Sequence, residues 1–90
     1  MRYIAALLLI VGLGGEAVAA SEYETGMRLM RAKIYAAAAA TFQRGANQGD
    51  AKSQFMMGVL HTSGQGVTKD VPKAMGYFHK SAEAGYDEAQ

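Results

Sequence analysis

Apolar and small residues recur along this chain with the period of a helix. In the last third, Ala74, Tyr77, Phe78, Ser81, Ala82 and Gly85 fall at i, i+3, i+4, i+7, i+8 and i+11, which is one face of a 3.6-residue turn. Moved back by 36 positions, that set lands on Ala38, Thr41, Phe42, Gly45, Ala46 and Gly49. Large aromatics coincide at 42 and 78, small residues at 46 and 82, and glycines at 49 and 85. Gln54 likewise recurs as Gln90. A self-match of this length predicts an all-α fold, an α/α helical-repeat solenoid in which each unit buries its apolar face against the next. About two helix pairs fit, and the array has the look of one cut short.

Four helices follow from the pattern and its punctuation. Ser21 to Lys33 reads as the first, with Ser21 as cap, Glu24 completing a capping box, and Tyr23, Met27, Met30 and Ile34 as the apolar stripe. Glutamates at its start and Arg28, Arg31 and Lys33 at its end suit the helix dipole. Tyr35 to Gln48 reads as the second. Its run Ala36 to Ala40 combines high helix propensity with little bulk, so a close-packing surface is expected there. Asp50 caps the third, Ala51 to about Thr62, in which Ser53, Met57, Gly58 and His61 share a face and Gly58 leaves room for another backbone. Ser63-Gly64-Gln65-Gly66 forms the reversal. Asp70 caps the fourth, Pro72 sits in its first turn, and Gly85 ends it. Tyr86 to Gln90 begins a further unit.

The first twenty residues read differently. Met1-Arg2-Tyr3 gives a short basic start and Ile4 to Leu13 an uncharged apolar run. Gly14-Gly15-Glu16 breaks that run before the small-x-small sequence Ala17-Val18-Ala19. This is the layout of a secretory signal peptide cut near Ala19 or Ala20. The run is about half the ~20 residues that span a bilayer, so no stable membrane insertion is expected after cleavage. The chain divides into a leader (1–20), a divergent helix–turn–helix unit (21–49), a complete repeat (50–85) and the start of another (86–90). An exported protein, periplasmic or secreted, is the expectation.

Charge adds little. Loss of Arg2 and Glu16 with the leader leaves the net charge of +1 unchanged, which gives no pull towards nucleic acid or an anionic membrane. With no cysteine in the chain, packing alone must hold a mature domain of ~70 residues.

Several residues together carry a family resemblance. Gly49-Asp50-Ala51-Lys52-Ser53-Gln54, then Met57-Gly58, Gly64-x-Gly66-Val67, Asp70, Lys73-Ala74, Tyr77-Phe78 and Lys80-x-Ala82-Glu83-x-Gly85 closely resemble the Sel-one-like repeat, an α/α unit related to the tetratricopeptide repeat. Gly58, Gly64, Gly66, Asp70, Ala74, Tyr77, Phe78, Ala82 and Gly85 are its structural positions. Ser53 stands where that family usually has Ala, and His61 where it often has Tyr. The resemblance implies protein–protein interaction by adaptors, scaffolds or periplasmic regulators. Some secreted, cysteine-rich members are linked to β-lactams and peptidoglycan, but their paired cysteines are missing here.

Candidate chemistry is sparse. The glycine loop lacks the Lys-Ser/Thr and the preceding strand of a phosphate-binding loop. No nucleophile–base pair stands near His61 or His79, so an enzyme is not expected, and a β-lactam-directed activity rests on analogy alone. His61 falls on the packed face and His79 on an open one. Met56, Met57 and His61, with Met27 and Met30, offer soft ligands of the copper(I) type, but methionines at helical spacing usually fill cores. No cofactor or metal is expected. Lys69, Lys73 and Lys80 read as solvated surface. In such arrays the first helix of each pair lines the inner face, which nominates Lys52, Phe55, Met56 and Val59 as the surface for a partner protein. Self-association is the other expectation, because about two units are fewer than an isolated solenoid usually needs.

Overall fold

The computed structural model describes residues 20–86. The expected leader apart from Ala20, and residues 87–90 of the expected further unit, lie outside them. Four helices follow one another: α1 (Glu22–Arg31), α2 (Tyr35–Asn47), α3 (Ala51–Ser63) and α4 (Val71–Glu83). They pack as two pairs, α1 on α2 and α3 on α4, with α2 also packed on α3. The all-α class and the helical-repeat arrangement are as the periodicity predicts.

Caps set three of the four starts. The Ser21 hydroxyl accepts from the Glu24 N–H at 3.0 Å, and the Glu24 carboxylate accepts from the Ser21 N–H at 3.2 Å, which closes the capping box. Asp50 accepts from the Ser53 N–H and Asp70 from the Lys73 N–H. The start of α2 has no side-chain cap; Ile34 occupies that position. Here the structure departs from the sequence pattern. α1 stops at Arg31, Lys33 turns left-handed at φ 63°, and Ile34 is half exposed in the turn instead of completing the α1 stripe. The three residues 32–34 are too few to reverse the chain with helical geometry maintained to Ile34.

One core joins all four helices. Ala38, Ala39, Phe42 and Ala46 of α2 meet Met57 and Leu60 of α3, with Tyr23, Met27, Leu29, Met30, Met56, Val67 and Tyr77 packed around them. Only Ala38 and Ala39 of the five-alanine run are buried; Ala36, Ala37 and Ala40 face solvent. A helix can turn only one stripe of a continuous run towards its neighbour, so the run acts as propensity on one side and packing on the other.

The loop between α3 and α4 is built by its two glycines. Gly64 caps α3 in the left-handed region at φ 75°, and its N–H reaches the Leu60 carbonyl at 2.7 Å. Gly66, at φ 74°, lies against the Tyr35 carbonyl group at the start of α2; a Cβ there would stand 2.6 Å from its carbon. The loop thus touches the preceding unit by backbone, and Val67 then enters the core. Gly58 plays another part than expected. The edge of the Phe78 ring approaches it, not a backbone, and a Cβ would stand 2.6 Å from that ring. Gly26 meets Phe42 in the same way, at 2.5 Å.

Candidate interaction surface

The Gly26–Phe42 and Gly58–Phe78 contacts define how the two pairs correspond. Second helices align at the 36-residue spacing, but first helices align at 32: Gly26 with Gly58, Tyr23 with Phe55, Met27 with Val59. The difference of four lies in the turns, three residues at 32–34 against seven at 64–70. Each glycine clears a seat on the first helix for the aromatic ring of its own second helix. The residues flanking that seat, Tyr23 and Met27 on α1 and Phe55 and Val59 on α3, form a half-buried surface on each first helix.

The nominated residues stand on that surface. Lys52 is exposed, and its ammonium lies 5.4 Å from the centroid of the Tyr23 ring, a cation–π contact that bridges α3 to α1. Met56 and Val59 are half-buried, and Met56 leans on the core. Phe55 is half-buried too, but it turns towards the chain's far end, 5.3 Å from the Phe78 ring and 5.2 Å from Tyr86. The strip is therefore not one patch: Lys52, Met56 and Val59 continue onto α1, while Phe55 belongs to an aromatic trio at the far end.

Tyr23 and Met27 extend the strip, and the 36-residue spacing alone does not find them. Both are half-buried, and Tyr23 tilts against Phe42 at 6.1 Å. The signal that locates them is the shorter offset, which pairs them with Phe55 and Val59. Beside them an open cavity of about 390 Å³ is lined by Ala20, Tyr23, Glu24, Met27, Arg28 and Arg31. Apolar floor, one carboxylate and two guanidinium groups suit a peptide side chain better than a small substrate, whose pockets enclose most of the ligand.

The remaining polar residues hold the scaffold. His61 is buried, stacks on Tyr77 with ring planes 7° apart, and has its Nδ1 3.0 Å from the Thr68 carbonyl. A carbonyl only accepts, so Nδ1 donates, and the imidazole ties the glycine loop to α3. The Asp70 N–H closes the same loop onto the His61 carbonyl at 2.9 Å. Tyr77 donates its hydroxyl to Gln43 at 3.0 Å, which links α4 to α2. Ser81 donates to the Ala51 carbonyl at 2.7 Å. His79 is exposed beside Glu83, and Lys80 is exposed with its ammonium 5.8 Å from the Tyr77 ring. Met57 is buried in the core, and among the described residues no group of three or more histidines and carboxylates converges. Nor is any described helix long and apolar enough to cross a membrane.

The model of the Sel1 repeat matches residues 51–86, from the first residue of α3 to just beyond α4. Residues 51–86 carry a Sel1 repeat, and the all-helical structure agrees with it. A search of curated proteins returns no match. Sel1 repeats generally mediate protein–protein interaction and are generally not catalytic. The matched stretch holds both glycines of the loop, the Asp70 cap of α4, and the Gly58–Phe78 seat described above. Tyr23 to Asn47 repeats that seat with Gly26 and Phe42 on a shorter turn.

Proposed function

We propose that this protein is an exported adaptor or scaffold that binds another protein along the strip formed by Tyr23 and Met27 of α1 and Lys52, Met56 and Val59 of α3. The observation that supports it is the Lys52–Tyr23 contact. It joins the first helices of both pairs into one surface, half apolar and rimmed by charge, of the composition that protein interfaces favour. Such a surface works by shape and side-chain complementarity, with Tyr23 as a fixed aromatic anchor and the neighbouring cavity as the seat for a partner's side chain.

Two experiments test it. A photo-crosslinking side chain placed at Val59, in the protein expressed in its own cells, is expected to give a discrete adduct that Lys52→Glu abolishes. Adducts of equal yield from exposed Lys73 on α4 would sink the assignment of the surface. Export is tested by the N-terminus of the accumulated protein. A mass beginning at Ala20 or Ser21 in the periplasmic or secreted fraction supports it, and a retained Met1 counts against it.

A further inference from the structure

The two ends of the described domain correspond in position to the two sides of the α2–α3 contact. Inside the chain, α2 and α3 pack through Ala39, Phe42 and Ala46 on one side and Met57 and Leu60 on the other. Moving the α2 side forward by 36 residues gives Met75, Phe78 and Ala82 of α4. Ala38 and Ala74 are buried alike, as are Gly45, which meets Ser53 of α3 and Glu22 of α1, and Ser81, which bonds to Ala51 of its own pair. The other three differ. Ala39 is 4% exposed and Met75 61%; Phe42 is fully enclosed and Phe78 half-buried; Ala46 is buried and Ala82 half-buried. They recur at i, i+3 and i+7 along one face, which in α2 is enclosed by α3 together with the Gly26 seat on α1.

The complementary half lies on α1. At the 32-residue offset, buried Met57 and Leu60 correspond to half-buried Thr25 and exposed Arg28, and half-buried Leu29 lies beside them. Thr25, Arg28, Leu29 and Ala32 line a largely apolar cavity of about 220 Å³. At the opposite end of the molecule Met75 is the most exposed large apolar side chain among the described residues.

We propose that a second copy of this chain docks its α1 face, Thr25, Leu29 and Ala32, onto the α4 face of the first, Met75, Phe78 and Ala82, and so repeats the α2–α3 contact between molecules. A second copy is the occupant because one chain carries both halves of an interface whose fit is already realised within it. Arg28 stands where α3 has Leu60, so its aliphatic stem covers the apolar surface while the guanidinium stays in water. That makes the intermolecular contact weaker than its intramolecular template. The contact is head-to-tail, and contacts of that kind continue into rings or open chains. It uses the ends of the domain, so it goes beyond the partner-binding strip and stands or falls separately from it.

Sedimentation velocity of the chain as recovered from expressing cells, at concentrations up to about 1 mM, tests this. The expected result is a series of dimers and higher species that grows with concentration. Met75→Lys spoils one face and Ala32→Arg fills the cavity of the other. Both residues are exposed, so circular dichroism is expected to be unchanged. Each variant alone is expected to remain monomeric, with the dissociation constant raised at least about tenfold, the loss typical of an interface anchor. Their equimolar mixture is expected to form dimers and nothing larger, because each variant supplies the face that the other lacks. A wild-type monomer throughout the range would overturn the proposal and leave these faces to a different protein. So would variants that associate as the wild type does, or a mixture that stays monomeric.

Discussion

Alanine at Gly26 and at Gly58 adds the same methyl group at equivalent points of the two units, yet the effects are expected to differ. At Gly26 the new Cβ falls 2.5–2.8 Å from three atoms of the Phe42 ring, and Phe42 is fully enclosed. The ring cannot leave without displacing Ala38, Ala46 and Met57 around it. Overpacking of this kind costs about 1–3 kcal/mol, and an enclosed ring puts Gly26 near the top of that range. Alanine returns about 1 kcal/mol through helix propensity. The net loss is about 2 kcal/mol, or a fall in Tm of about 10 °C for a domain of this size.

At Gly58 the clash is nearly the same, 2.6–2.9 Å, but Phe78 is half-buried on the uncovered side of α4. It can tilt outwards with Phe55 following. The steric cost then falls to about 1 kcal/mol and the propensity gain cancels it, leaving Tm within about 3 °C of wild type. Urea and thermal unfolding followed by circular dichroism, at low protein concentration so that no second copy closes over Phe78, measure both. A double-mutant cycle pairing Gly26→Ala with Phe42→Leu is expected to show favourable coupling of about 1–2 kcal/mol, since the smaller side chain relieves the clash. If Gly58→Ala destabilises as much as Gly26→Ala, or the cycle shows no coupling, the ring seat does not govern these glycines.

Three further outcomes follow from single contacts. Gly66→Ala is expected to lower stability by at least about 2 kcal/mol in the same urea titration, because left-handed backbone and the Tyr35 carbonyl oppose the methyl group together. Asp70→Ala removes the cap of α4 and is expected to cost about 1 kcal/mol, with Asp70→Asn recovering most of it. Tyr77→Phe loses the bond to Gln43, and because Gln43 is half-buried and reaches water, a loss of about 0.5–1 kcal/mol is expected with the His61 stack retained.

Much of this architecture was legible because it depends on local chemistry. Ser21, Asp50 and Asp70 cap the nearest free N–H groups whatever lies beyond them, and the 36-residue recurrence locates α2 and α4 without reference to contacts. What could not be read depends on which atom meets which. Gly58 signals a close approach, but a sequence does not say whether a ring or a backbone makes it. His61 reads as core filler, and only the path of the loop brings the Thr68 carbonyl to its Nδ1. The alanine run gives no clue to which of its members face inward.

The interaction strip shows how one turn length governs what a repeat sequence reveals. With one offset for the whole chain, Phe55 looks back to Ala19 and Val59 to Tyr23, and the first helix contributes no coherent surface. Shortening the offset to 32 pairs Tyr23 with Phe55, Met27 with Val59 and glycine with glycine at once. The four extra residues belong to the 64–70 turn, whose Gly66 carries the contact to Tyr35. The first unit turns in three residues at 32–34 without such a loop, and Thr25, Leu29 and Ala32 line a largely apolar cavity on α1. The second unit has the loop and uses it on α2. The same loop lies within the stretch 51–86 that matches the Sel1 repeat, so the segment that sets the two offsets apart also ties the second unit to α2.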